Sequence, residues 1–221
     1  SLTSAVIFAF VITALLTPIL YSSAYDLHKK MQPLLEKVGF KSPPETTGEE
    51  EDGHALAILG FHRDASSLLY NLTQTDPDLV KQTLVVDFNV ALHAGIQETG
   101  ATVKYGDLAN PETLHHLGLN ECKVIVCTIP DDLLRGITNR QLVHVVREMA
   151  PHAAIIANAI AIDEIQKVYA AGADYVYLNR FEAAWTLQRA VQAGIELEID
   201  LFRNKRQARN HYHPDRKEIL S

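Results

Sequence analysis

Gly60 to Ala65, read as Gly-Phe-His-Arg-Asp-Ala, is the stretch whose residue types and spacing could do chemistry. It follows the uncharged run Ala55-Leu56-Ala57-Ile58-Leu59 and precedes the helical pattern Ser66-Ser67-Leu68-Leu69-Tyr70-Asn71-Leu72. A strand, a tight turn and a helix start in that order aim backbone N–H groups and a helix N-terminus at an anion, above all a phosphate. In the spacing G-x-G-x-x-G the glycine positions hold Gly60, His62 and Ala65, so the last two glycines are replaced. His62 brings a Cβ and a ring to the point where a diphosphate needs bare backbone. Asp64 lies in the first helical turn, where its carboxylate can itself satisfy the N–H groups. At about 5 Å from a phosphate charge and an effective dielectric near 20, its repulsion is roughly 3 kcal/mol. The helix terminus returns only roughly 0.3–2 kcal/mol. Repulsion wins unless Asp64 turns away or Arg63 and His62 compensate, and the expectation is a crevice in which diphosphate binding is weakened, leaving a monophosphate or nothing.

Other constellations carry less. His211-Tyr212-His213 with Asp215 has donors that suit zinc or nickel, but in a loose tail they are not preorganised. Tyr25 and Lys29 share the spacing of a dehydrogenase Tyr-x-x-x-Lys pair, yet they precede the first strand. No Ser/His/Asp or Cys/His nucleophile set is visible, so no catalytic residue is assigned and the chain is not read as an enzyme. Cys122 and Cys127 lie in one apparent strand, where alternation turns them to opposite faces and disfavours a disulfide. A net charge of −7 argues against nucleic acid as a partner.

The elements that must position the turn divide the 221 residues unevenly. Residues 1–25 carry no charge, and as a helix of ~24 residues at ~1.5 Å per residue they reach about 36 Å, against a hydrocarbon core of about 30 Å. They lack the basic start of a signal peptide and the polar face of a buried soluble helix, so they are expected to span a membrane. His28-Lys29-Lys30 then sets the exit side in the cytoplasm. Beginning at Ser1 without an initiator Met, the chain is expected to be the last span and tail of a longer, multi-pass protein. Residues 26–53 form a juxtamembrane segment and an acidic linker containing Glu49-Glu50-Glu51-Asp52.

Beyond the linker, short apolar runs alternate with helical patterns. Strands are expected at Ala55–Leu59, Thr83–Asp87, Ala101–Tyr105, Lys123–Thr128, Ala153–Ala157 and Tyr175–Leu178. Intervening helices cover Val90–Thr99, a start at Pro111, Asp132–Met149 and Ile162–Ala171. Six such strands with short connections predict an α/β fold, a doubly wound Rossmann-like parallel sheet over 54–179. Residues 180–221 are expected to hold one long helix from Phe181 to about Arg209 and a loose basic tail. Trp185, Leu187, Val191 and Ile195 give that helix an apolar stripe, which must pack on its own domain or on a second copy.

Several phrases in order resemble one family. They are Leu59-Gly60-Phe61-His62-Arg63, Val85-Val86-Asp87, Tyr105-Gly106-Asp107-Leu108-Ala109-Asn110-Pro111-Glu112, Val124-Ile125-Val126-Cys127-Thr128-Ile129-Pro130-Asp131-Asp132 and Ala170-Ala171-Gly172-Ala173-Asp174-Tyr175-Val176. Together they look like the Trk-type (TrkA-N, RCK/KTN) nucleotide-binding domain. The apolar segment with Leu15-Leu16-Thr17-Pro18 resembles the last membrane helix of Kef-type monovalent cation:proton antiporters. The resemblance implies a homodimeric regulatory module on the cytoplasmic face of the cell membrane. It would control potassium or cation transport in response to NAD(H), AMP or ATP. On that resemblance Gly60, Phe61, His62 and Arg63 form the phosphate turn. Asp87, followed by Phe88, accepts from ribose hydroxyls, Asp107 and Leu108 flank the adenine, and Thr128 lines the crevice. Asn158 stands where the family often has arginine, which removes a cation. The alternatives are a soluble NAD-dependent oxidoreductase and a dimerisation scaffold whose nucleotide site is lost.

Overall fold

The computed structural model describes residues 53–210 and 216–220, with residues 4, 6–8, 10–14 and 17 near the N-terminus. Two units divide the chain, Ser1–Glu51 and Asp52–Ser221. In the first, the described residues are helical and exposed. Among the described residues no helix is long and apolar enough to cross a membrane. Much of the expected span, nearly all of the linker and the His211–Asp215 cluster lie outside the described residues.

The second unit is built on six strands: β1 (Leu56–Leu59), β2 (Thr83–Asp87), β3 (Thr102–Tyr105), β4 (Val124–Cys127), β5 (Ala154–Asn158) and β6 (Tyr175–Tyr177). They form one sheet in the order β3-β2-β1-β4-β5-β6, and every pairing is parallel. This is the doubly wound, Rossmann-like sheet that the alternating pattern predicts. Residues of β1 and β2 are buried throughout, which is why Leu56–Leu59 and the Leu84-Val85-Val86 centre of β2 read as unbroken apolar runs rather than alternating ones.

Helices α1 (Arg63–Thr75), α2 (Pro77–Lys81) and α3 (His93–Glu98) connect β1 to β2 and β2 to β3. Helices α4 (Pro111–His115), α5 (Asn139–Met149) and α6 (Ile162–Ala170) make the later connections. Right-handed crossovers send the first set to one face of the sheet and the second set to the other. Two cores result. Leu59, Val86, Ile125 and Ile155 pack with Leu142, Val143 and Val146 of α5, whereas Ile58, Val85 and Val126 pack with Ala65 and Leu69 of α1 and Ile96 of α3.

Four expectations are corrected. The helix expected from Asp132 begins only at Asn139, because Gly136 is left-handed and Thr138 closes a capping box with Gln141. The single helix expected from Phe181 is two, α7 (Asn179–Ile195) and α8 (Ile199–Asn210), broken where Leu197 takes φ +63°. The tail is not wholly loose, since Ile219 and Leu220 pack against the α1 core. Cys122 precedes β4 instead of lying in it, so alternation does not apply, and both cysteines face the same core. Both thiols are free, and burial pushes Cys122 up to about 11 and Cys127 to about 12.

The β5–β6 end is closed by Arg147, which donates to the carbonyls of Ala153 (2.8 Å) and Gly172 (2.8 Å) and pairs with Asp174 (2.5 Å). The Asp174 carboxylate also accepts from Ile155 N at 2.7 Å. That backbone bond first, and Arg147 second, hold its carboxyl below the ordinary value of 3.8. A depressed folded-state pKa stabilises above the ordinary value, and the contribution is lost as pH falls through the folded one. Asp174→Asn should therefore be less stable than wild type at pH 7 in urea unfolding, with the gap closing as pH falls below 3.8.

Candidate functional site

In a doubly wound sheet the crevice opens at the carboxyl ends of the strands, where the order reverses, here between β1 and β4. The turn leaving β1 is built for close packing. Gly60 takes φ +79°, and a Cβ there would overlap the Ile129 side chain and lie 3.3 Å from Leu108. The Thr128 hydroxyl donates to Gly60 O at 2.8 Å, tying the ends of β4 and β1 together. Phe61 N donates to Asp87 Oδ2 at 2.6 Å, and Asn89 N to Asp87 Oδ1 at 2.7 Å. The buried Asp87 carboxylate thus spends one acceptor site on each oxygen within the protein, and each oxygen keeps another.

His62 is the N-cap of α1 in extended backbone, and its side chain makes no capping bond. The first-turn N–H groups therefore receive no cap from the residue placed to supply one, which leaves an anion-binding helix end. Asp64 does not cap them either. Its carboxylate accepts from Asn179 Nδ2 at 2.8 Å and from the Tyr177 hydroxyl at 3.4 Å, groups that lie at the far end of the sheet. Burial, and then the Asp64 charge, push the Tyr177 phenol up, so it stays a proton donor to that carboxylate. Near it Asn158 Nδ2 donates to Asn179 Oδ1 at 3.4 Å, while Asn158 Oδ1 is buried without a hydrogen-bond partner among the described residues.

Of the residues singled out from sequence, Gly60, Phe61, Asp87, Leu108 and Thr128 meet around this one turn, with His62 next to them. Arg63, Phe88 and Asp107 are exposed. Asp107 Oδ1 accepts from Ala109 N at 2.9 Å in a local turn after β3. Sequence reasoning missed Ile129, which fills the space over Gly60, and Tyr177 and Asn179, which hold Asp64. The apolar residue after Thr128 carried a signal only in hindsight of the left-handed glycine it packs on.

A groove of about 620 Å³ lies on the α1 face over β4, β5 and β6. Leu68 and Leu72 wall it on one side, and Val124, Val126, Ile156 and Tyr175 floor it. It is bare for a topological reason: the connections between β4, β5 and β6 all run on the opposite face. Its polar end reaches Asp64, Thr128 and Tyr177.

Gly60 offers the plainest test of the turn. Gly60→Ala meets both overlap with Ile129 and a left-handed φ. Overpacking and backbone strain of this kind cost roughly 2–5 kcal/mol together. That loss should appear as a lower urea midpoint with an unchanged slope.

Comparison with known proteins places the chain. The sequence pattern of the TrkA-N domain matches residues 56–179, and the chain belongs to that family. The TrkA-N domain of the inner membrane protein ybaL from Escherichia coli superposes with a TM-score of 0.53 at 25% identity, over 62% of this chain and 95% of that one. The NAD(P)-binding domain of an exopolyphosphatase-related protein from Archaeoglobus fulgidus has a TM-score of 0.53 at 16% identity, over 63% and 98%, and shows the fold alone. The GsuK channel bound to NAD is more distant, with a TM-score of 0.49 at 21% identity over 78% and 30%. Sequence comparison with curated proteins finds no match.

Proposed function

We propose that this TrkA-N chain is the ligand-sensing, dimerising regulatory domain of a membrane cation transporter, a cation:proton antiporter for potassium or a similar ion. The observation that carries the reading is the uncapped start of α1 beside Gly60, Asp87 and Thr128 at the sheet's switch point. A membrane context is supported by the relative ybaL, an inner membrane protein, and by the uncharged residues 1–25. The ligand is an adenine nucleotide or NAD(H), and AMP suits the turn best. Ile129 and Leu108 pack onto Gly60, and His62 replaces bare backbone where a second phosphate would go. The mechanism is linkage: a ligand that prefers one arrangement of the dimer shifts its population, and residues 26–53 pass the shift to the transport unit.

Helix α7 supplies the dimer contact. It has no buried residue, and Trp185, Leu187, Val191 and Ile195 are all exposed, so the stripe is not packed on the described residues of its own domain. The bare apolar groove of the partner is the complementary surface. Sedimentation of the full chain in detergent should give a dimer, and Trp185→Glu with Val191→Glu should give a monomer. A double variant that still dimerises removes α7 from the contact.

Calorimetry with AMP, ATP and NADH tests the ligand. AMP should bind, and NADH should bind no tighter than AMP; NADH at least tenfold tighter would overturn the weakened turn. Because Asp64 turns to Asn179 and Tyr177, Asp64→Asn should change NADH affinity by less than tenfold, and a larger gain would show that its charge reaches the turn. Hydride transfer from NADH to any carbonyl substrate favours the oxidoreductase reading instead. Absence of all nucleotide binding in a dimer favours the scaffold.

A further inference from the structure

The C-terminal residues Arg216–Leu220 return to the sheet unit and cross the outer face of α1 toward α3. Leu220 N donates to Ser66 Oγ at 2.9 Å, and Ser67 Oγ donates to Glu218 Oε2 at 2.7 Å. Ser66 and Ser67 lie within the first five residues of α1, directly behind the turn. Arg216 bonds Glu218 at 2.5 Å, reaches Asn71 Oδ1 at 3.2 Å and lies 4.2 Å over the Tyr70 ring. The internal Arg216–Glu218 pair shapes the segment, and both side chains are largely covered. Ile219 and Leu220 join the core that also holds Phe61 of the turn and Ile96 of α3. Ile219 passes over Gly95, whose Cβ, if it had one, would lie 3.5 Å from Ile219 Cγ2.

We propose that Arg216–Leu220 is a strap that fixes the first two turns of α1, and with them the affinity of the anion site at its N-terminus. The second half of this rests on the crevice reading above. The strap holds α1 through a few bonds to short hydroxyls and two partly covered apolar side chains, so it can leave while the sheet stays folded. Its seat links α1, which starts at the phosphate turn, to α3, which follows the Asp87 strand. Seating it spares a ligand the entropy of ordering that turn, which makes strap and ligand mutually reinforcing.

Two variants of the full chain unseat the strap from opposite sides. Leu220→Asp alters the strap itself, and Gly95→Leu fills its seat without touching the tail. Hydrogen exchange followed by mass spectrometry should show amides of residues 66–72 exchanging at least tenfold faster in both, with β1 and β4 unchanged. Exchange within twofold of wild type overturns the strap. Uniform acceleration that includes β1 and β4 overturns it too, since the tail is then a general brace. AMP titrated into the same chains should bind tenfold more weakly to both variants, and equal affinity overturns the coupling. If AMP does not bind wild type, the crevice reading and the affinity half of the proposal fail together, while the exchange comparison still decides the strap.

Discussion

The buried bond from Phe61 N to Asp87 Oδ2 is the constraint from which the rest of the site follows. It joins the ends of two neighbouring parallel strands at the point where the chain must leave one of them for a helix. A carboxylate buried there is tolerable only because backbone N–H groups answer it from both sides. With the turn pinned by that bond, Gly60 is driven into the left-handed region, and Ile129 and Leu108 close over the space its missing side chain leaves. The start of α1 is then fixed in direction but uncapped by His62. One ionic hydrogen bond thus sets where the helix begins, which way it points and how much room remains in front of it.

Topology determines what lies beyond. Because all connections after β3 run on one face, the opposite face is clothed only as far as α1 reaches, and the groove over β4 to β6 is the remainder. The chain then leaves β6 on a helix whose Trp185, Leu187, Val191 and Ile195 are left exposed by the described residues. Asp64 lies at the meeting point of these two features, held by Asn179 from the start of that helix and Tyr177 from the last strand. A change at the helix therefore has a short route to the first turn of α1.

The fold was legible because its signals are periodic and local. Uninterrupted runs such as Leu84-Val85-Val86 mark strands buried on both faces, and the alternation with helices implies parallel order. Boundaries were less legible where tertiary contacts decide them. The stretch from Asp132 to Thr138 has a helix-like composition, but Asp131 accepts from Asn139 N and so holds the true helix start. Leu197 carries no sign of a left-handed break, which local hydrogen bonds from Leu197 N and Glu198 N impose. At the site, Gly60, Asp87 and Thr128 were visible from their places at strand ends. The partners of Asp64 were not, because they are more than a hundred residues distant and only the sheet order brings them near.

The two cysteines have a consequence for how such a module can respond to its surroundings. Burial pushes the Cys127 thiol up to about 12 and the Cys122 thiol to about 11, so both stay protonated at neutral pH. Peroxides and electrophiles attack the thiolate, so neither sulfur is a useful target while the core stays closed. Neither thiol, then, is a route by which an oxidant reaches the fold.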